Sequence, residues 1–257
     1  MSALRAVVRG AALLCAGAWL GGCASSGGGG QQSPAAAAAA NLQLGSAYLQ
    51  QGNLPIAKDK LERAVKQAPR DPAVHGLLAM LYQRLGDDKR AESEYRAALS
   101  LAPRDPEQLN NYAVFLCGVG RVDEGVSRFQ QAARNRLYST PWAADTNAGV
   151  CLRGAKRDAE AEPLFLHALQ VRPDYAEAAV QLADLRLNHD RAAEGYRGIS
   201  EFLKSNPPNA ELLLLGWRAA RAQQDGVGAA QMAWRLQTDF PDSEQARSVA
   251  ALIGAKK

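Results

Sequence analysis

Alanine and glycine recur at fixed places along this chain, and bulkier apolar residues stand at fixed distances from them. The chain divides into units of 34 residues counted from position 38, with a slip of two residues after the third. The eighth place of each unit then reads Gly45, Ala79, Ala113, Gly149, Ala183 and Trp217, and the twentieth reads Ala57, Ala91, Gly125, Ala161, Gly195 and Ala229. The twenty-seventh place holds Ala64, Ala98, Ala132, Ala168, Phe202 and Leu236, while the twenty-fourth carries Leu61, Tyr95, Phe129, Phe165, Ile199 and Ala233. Small residues are needed where two helices cross closely, and large ones fill the space beside the crossing. Pro69, Pro103, Pro173, Pro207 and Pro241 close the units. The pattern therefore predicts six helix-turn-helix units, at 38-71, 72-105, 106-139, 142-175, 176-209 and 210-243, with a C-terminal tail after them.

A period of 34 is that of the tetratricopeptide repeat, so the resemblance implies an all-α superhelix over residues 38-257 in which each unit packs on its neighbours. Three departures carry local expectations. Leu137 stands where the third unit should have its proline, and Thr140 and Pro141 are inserted before Trp142, which should change the angle between two units. Gly226 and Gly228 should soften the turn of the sixth unit, which is expected to cap the stack. Pro163 lies near the first turn of a second helix, where it is tolerated or causes a mild kink.

The N-terminus has a different pattern. Arg5 and Arg9 precede an apolar run from Ala11 to Leu20, too short for a spanning helix, and small residues follow it. Leu20-Gly21-Gly22-Cys23 is similar to the lipobox of bacterial lipoproteins. That likeness implies a signal peptide over 1-22 and a lipidated Cys23, and Ala24 after it implies sorting to the periplasmic face of the outer membrane. Residues 23-37, rich in Gly, Ser, Gln and Ala, read as a flexible tether, about fourteen of whose residues span roughly 20 Å root-mean-square. The alanine run Ala35 to Ala40 has the propensity to extend the first helix backward.

Charge excludes one class of partner. The formal net charge of +4 includes Arg5 and Arg9, so it falls to about +2 once the signal is removed. No basic footprint for nucleic acid remains. Of four cysteines, Cys15 would leave with the signal and Cys23 would carry lipid, leaving Cys117 and Cys151. In an oxidising compartment the two are expected to form a disulfide between the first helices of the third and fourth units, with two buried thiols as the alternative.

A narrower resemblance rests on these same segments. Asn110-Asn111-Tyr112-Ala113-Val114-Phe115-Leu116-Cys117-Gly118, then Gly120-Arg121, and Asn147-Ala148-Gly149-Val150-Cys151 resemble the PilF/PilW family of type IV pilus biogenesis lipoproteins. Phe240-Pro241-Asp242-Ser243-Glu244 and the order of signal, lipidated cysteine and six repeats are similar as well. The resemblance implies a pilotin that helps the type IV pilus secretin reach the outer membrane and multimerise, and so supports pilus production and twitching motility. Its partners would be that secretin and, through the lipid, the membrane. Two rival readings share the scaffold: a lipoprotein of the outer-membrane barrel-assembly machinery, and a scaffold for cell-wall enzymes.

In the repeat family the first helices line a groove, which makes Leu42, Ser46, Leu49, Met80, Gln83, Asn110, Val114, Thr146, Val150 and Arg153 candidates for partner binding. Their mixture of apolar and hydrogen-bonding groups suits an extended peptide or an amphipathic helix. Chemistry is not expected. His75, His167 and His189 lie in different units without a second ligand at metal-binding spacing. Gly118-Val119-Gly120 follows no strand and reads as a turn. Asp158, Glu160 and Glu162 read as a solvated helix face, and no catalytic residue, cofactor, metal or small-molecule substrate is expected.

Overall fold

The computed structural model describes residues 33–254. They form thirteen α-helices, with no strand among the described residues. Six antiparallel pairs come first: α1 (Pro34–Gln50) with α2 (Leu54–Gln67), α3 (Pro72–Arg84) with α4 (Asp88–Leu101), α5 (Pro106–Gly118) with α6 (Val122–Ala133), α7 (Pro141–Gly154) with α8 (Asp158–Val171), α9 (Ala176–Asn188) with α10 (Ala192–Ser205), and α11 (Ala210–Ala222) with α12 (Gly226–Asp239). The last of them, α13 (Glu244–Gly254), has no second helix of its own among the described residues. Each first helix packs on the next first helix as well as on its own second helix.

The sequence writes the punctuation. Asp71 and Asp105 cap α3 and α5 through their carboxylates, and Pro72 and Pro106 follow at the first helical position, where a missing N–H costs nothing. The turn inside each of the first three pairs has a left-handed residue supplied by Gly52, Gly86 or Gly120, at φ 75°, 74° and 81°. Lys156, Asp190 and Gln224 take that place in the last three, at φ 61°, 58° and 59°, where a side chain is strained. Gly118-Val119-Gly120 is thus the end of α5 and the turn after it.

The small and large places interlock as their spacing predicts. Leu61, Phe129 and Phe165 are almost fully buried. A Cβ on Gly45 would stand 2.6 Å from Leu61 Cγ, and one on Gly149 would stand 2.5 Å from a Phe165 ring carbon. Replacing either glycine would therefore push the buried Leu61 or Phe165 side chain out of its place.

Arginines tie the central units together. Arg121 and Arg191 begin second helices without a side-chain cap. Arg121 donates to Glu92 of the preceding unit at 2.5 Å and to Glu124 of its own at 2.7 Å, and Arg191 does the same with Glu162 and Glu194, each at 2.6 Å. Arg157 bridges Asp123 and Glu160 in the same way. Hydrogen bonding from Arg121 holds Glu92 below the usual carboxylate range, and hydrogen bonding from Arg191 does so for Glu162. The first, second and sixth units have Asn53, Asp87 and Asp225 at this place, and these cap their own helices instead.

Several expectations are revised. Ala35 to Ala40 belong to α1, which starts at Pro34 behind the capping hydroxyl of Ser33, so four residues of the stretch read as tether are helical. Gly226 and Gly228 are not in the turn; they open α12, where Asp225 accepts from the Gly228 N–H at 2.9 Å. The sixth unit does not end the stack. The tail forms α13, which buries Ala246 and Val249 against Leu213, Trp217 and Leu236. Pro163 sits inside a continuous α8. At the slip, α6 ends at Ala133, Asn135 donates to the Arg104 carbonyl at 2.7 Å, and Leu137 is 92% exposed before Pro141 starts α7. The signal, Cys23 and most of the tether lie outside the described residues.

Candidate functional site

On the first-helix side of the second and third units lies a cleft of about 460 Å³ lined by Met80, Gln83, Arg84, Tyr95, Asn111 and Val114. Its floor is rigid. The Tyr95 ring is buried against Tyr112 and Phe115, with ring centroids 5.5 and 5.4 Å away, and its hydroxyl donates to Gln83 Oε1 at 3.0 Å. Burial pushes the Tyr95 phenol up, so it remains a neutral donor. Arg84 donates to the Leu49 carbonyl at 2.5 Å and links α3 to α1. Val114 is 44% exposed and Met80 half-buried, so the walls offer apolar atoms to a visitor. An apolar surface with a few fixed hydrogen-bonding groups can hold a peptide by burial and orient it by its polar atoms.

The structure brings Met80, Gln83 and Val114 together here. Leu42 and Ser46 are half-buried on α1 and outside the cleft, and Val150 is exposed on α7. Asn110 accepts from Asn147 at 3.1 Å, an amide bridge between α5 and α7. Two candidates are corrected. Leu49 is 2% exposed because it lies in the core formed by α1 to α5, with Ala57, Leu78 and Leu81. Thr146 is 1% exposed, and its hydroxyl turns back to the Trp142 carbonyl at 2.9 Å. Arg153 belongs to a polar cluster: it donates to Gln181 Oε1 and Asp184, each at 2.8 Å, with Asp158 at 3.7 Å and Arg218 beyond Asp184. Arg84, Tyr95 and Asn111 escaped the sequence reading. Tyr95 was legible there only as the large packing residue of its unit.

Beside this cleft the stack is clamped. Cys117 of α5 and Cys151 of α7 are disulfide-bonded, with Cα atoms 5.7 Å apart, and the bond spans the slip between the third and fourth units. Gly125 makes room for it, since a Cβ there would stand 2.5 Å from Cys117 Sγ. The histidines are held by carboxylates: His75 by Glu94 at 2.6 Å, His167 by Asp145 at 2.8 Å and His189 by Asp158 at 2.7 Å. Among the described residues no three His, Cys, Asp or Glu side chains gather as a metal site, and no helix is long and apolar enough to cross a membrane.

Comparison with known proteins fits this geometry. A family model described as tetratricopeptide repeat matches residues 42–106. The type IV pilus assembly protein PilF of Pseudomonas aeruginosa is 31% identical over 204 residues, covering 79% of this chain and 81% of the relative. The chain belongs to the PilF/PilW family. A solved structure of Pseudomonas aeruginosa PilF superposes with a TM-score of 0.65 at 31% identity, covering 84% of this chain and 97% of that one. The crystal structure of PilW, described as a widely conserved type IV pilus biogenesis factor, superposes with a TM-score of 0.66 at 28% identity, covering 83% and 98%. Membership in the PilF/PilW family spans both the cleft and the disulfide-bearing helices, well beyond the repeat match alone.

Proposed function

We propose that this PilF/PilW relative acts in type IV pilus biogenesis as a pilotin. Anchored through a lipid on Cys23 at the periplasmic face of the outer membrane, it assists localisation and multimerisation of the pilus secretin by binding a segment of it in the Met80–Val114 cleft. The observation that carries the reading is the 31% identity to a type IV pilus assembly protein over most of both chains. The cleft supplies the means. Burying a single apolar side chain contributes about 1.5–3 kcal/mol, so a segment with one or two such residues gains enough to be held.

The experiment charges the walls of the cleft. Met80→Glu and Val114→Glu, in the lipidated full-length chain, are expected to weaken secretin binding tenfold or more and to lower secretin multimers and piliation, while the helical spectrum stays that of the wild type. Folded variants with wild-type multimer levels would remove the cleft from the proposal. A gene deletion that left the secretin untouched would remove the pilotin role itself.

A further inference from the structure

Among the described residues α13 is a first helix without the second-helix mate that every other first helix has. α13 begins 34 residues after α11 and so stands where a seventh first helix would. In all six units the eighth place, which falls on that helix, is buried. In the first and fourth it lies against the large residue of the second helix, as Gly45 under Leu61 and Gly149 under Phe165. The matching residue of α13 is Ala251, small and exposed, and exposed Leu252 and Ile253 follow it.

The start of the missing helix can be located independently. Arg121, Arg157 and Arg191 open second helices and reach back to Glu92, Asp123 and Glu162, at the twenty-first, eighteenth and twenty-first places of the preceding units. A second helix therefore begins over those two places. In the sixth unit they carry Val227 and Ala230 rather than an acid, and Val227 is 82% exposed. Between the two ends of this track lies a cleft of about 400 Å³ whose lining includes Trp217, Ala230, Leu252 and Ile253, with Arg221, which lies over the Trp217 ring, Gln224 and Asp225 as its polar part. The helix-on-helix interface repeated along the stack thus continues, largely apolar, over a place where no helix of this chain lies among the described residues.

We propose that this open end seats one amphipathic helix of a partner protein, in the position of a seventh second helix. The first four internal interfaces, the ones with a large residue between two small ones, define the occupant's chemistry. It carries a large apolar residue facing Ala251, small residues four places before and three places after that one, and an apolar residue at its start, since no acid waits there for an arginine. The surface lies at the opposite end of the repeats from the Met80–Val114 cleft, and the proposal does not depend on what that cleft binds.

The test places a photo-crosslinking amino acid at Ala251 or Val227 of the full-length chain in living cells of its source, with the same residue at exposed Leu137 as background. Adducts from both positions should map by mass spectrometry to one segment of another protein with the helical spacing just described. Leu252→Glu should lower their yield at least tenfold without moving the thermal midpoint. The proposal is overturned by adducts to lipid, to a second copy of this chain or to a segment without that pattern, by yields no higher than at Leu137, or by yields indifferent to Leu252→Glu.

Discussion

The two halves of the first-helix face are built alike and finished differently. Around α3 and α5 it presents Met80 and Val114 over a buried aromatic floor, whereas from α7 to α11 it presents Arg153, Gln181, Asp184 and Arg218 bonded to one another. Apolar atoms left at a surface gain by being covered, while charges already paired must lose those partners or their water before a visitor gains anything. The first half therefore leaves apolar atoms open to cover, and the second ties units together. A disulfide joins the halves where the repeat spacing slips.

Breaking that joint should give the largest effect. Cys117→Ser with Cys151→Ser opens a loop of 34 residues in the unfolded chain, for which chain entropy gives about 3–4.7 kcal/mol before strain is counted. The thermal midpoint should fall on the order of 10 °C. A midpoint insensitive to both the substitutions and reductant would mean that packing across α5, α6 and α7 suffices without the bond.

The comparison itself is sharpened by Arg153→Met. Removing the guanidinium leaves Asp184 with Asn188 at 3.0 Å and Arg218 at 3.8 Å. A loss of about 1–3 kcal/mol in unfolding free energy is expected, with secretin affinity unchanged. Met80→Glu should do the reverse, sparing stability and losing affinity. If both variants lost both properties, the halves would not be separable in function.

A smaller effect should appear in acid. Glu92, bonded by Arg121, and Glu162, bonded by Arg191, have pKa values depressed by folding. Such groups contribute stability above the unfolded carboxyl value, about 4.3, and lose it as pH falls through the folded values. Thermal midpoints measured from about pH 6 to 3 should be level and then drop, and in Glu162→Gln, which lacks one of the two groups, the drop should be shallower. An equal drop in that variant would exclude Glu162 as a source.

The repeat count and the pairing of small with large residues were legible in the chain, because each depends on residues at one fixed period. The period placed Met80, Gln83 and Val114 on the first-helix face, where they line one cleft, for the same reason. It misplaced Leu49 and Thr146, since whether a first-helix residue meets solvent depends on how far the neighbouring helices lean over it, and a period of 34 carries no such angle. Arg84, Tyr95 and Asn111 joined the cleft only when α3, α4 and α5 came together. The PilF/PilW likeness was readable in the cysteine-bearing segments. The order of the chain alone thus determined the repeats and the kinship, while the cleft, the arginine ties between units and the unmated face of α13 were decided by tertiary structure, because each is made of residues from successive units whose contact exists only once the superhelix has closed.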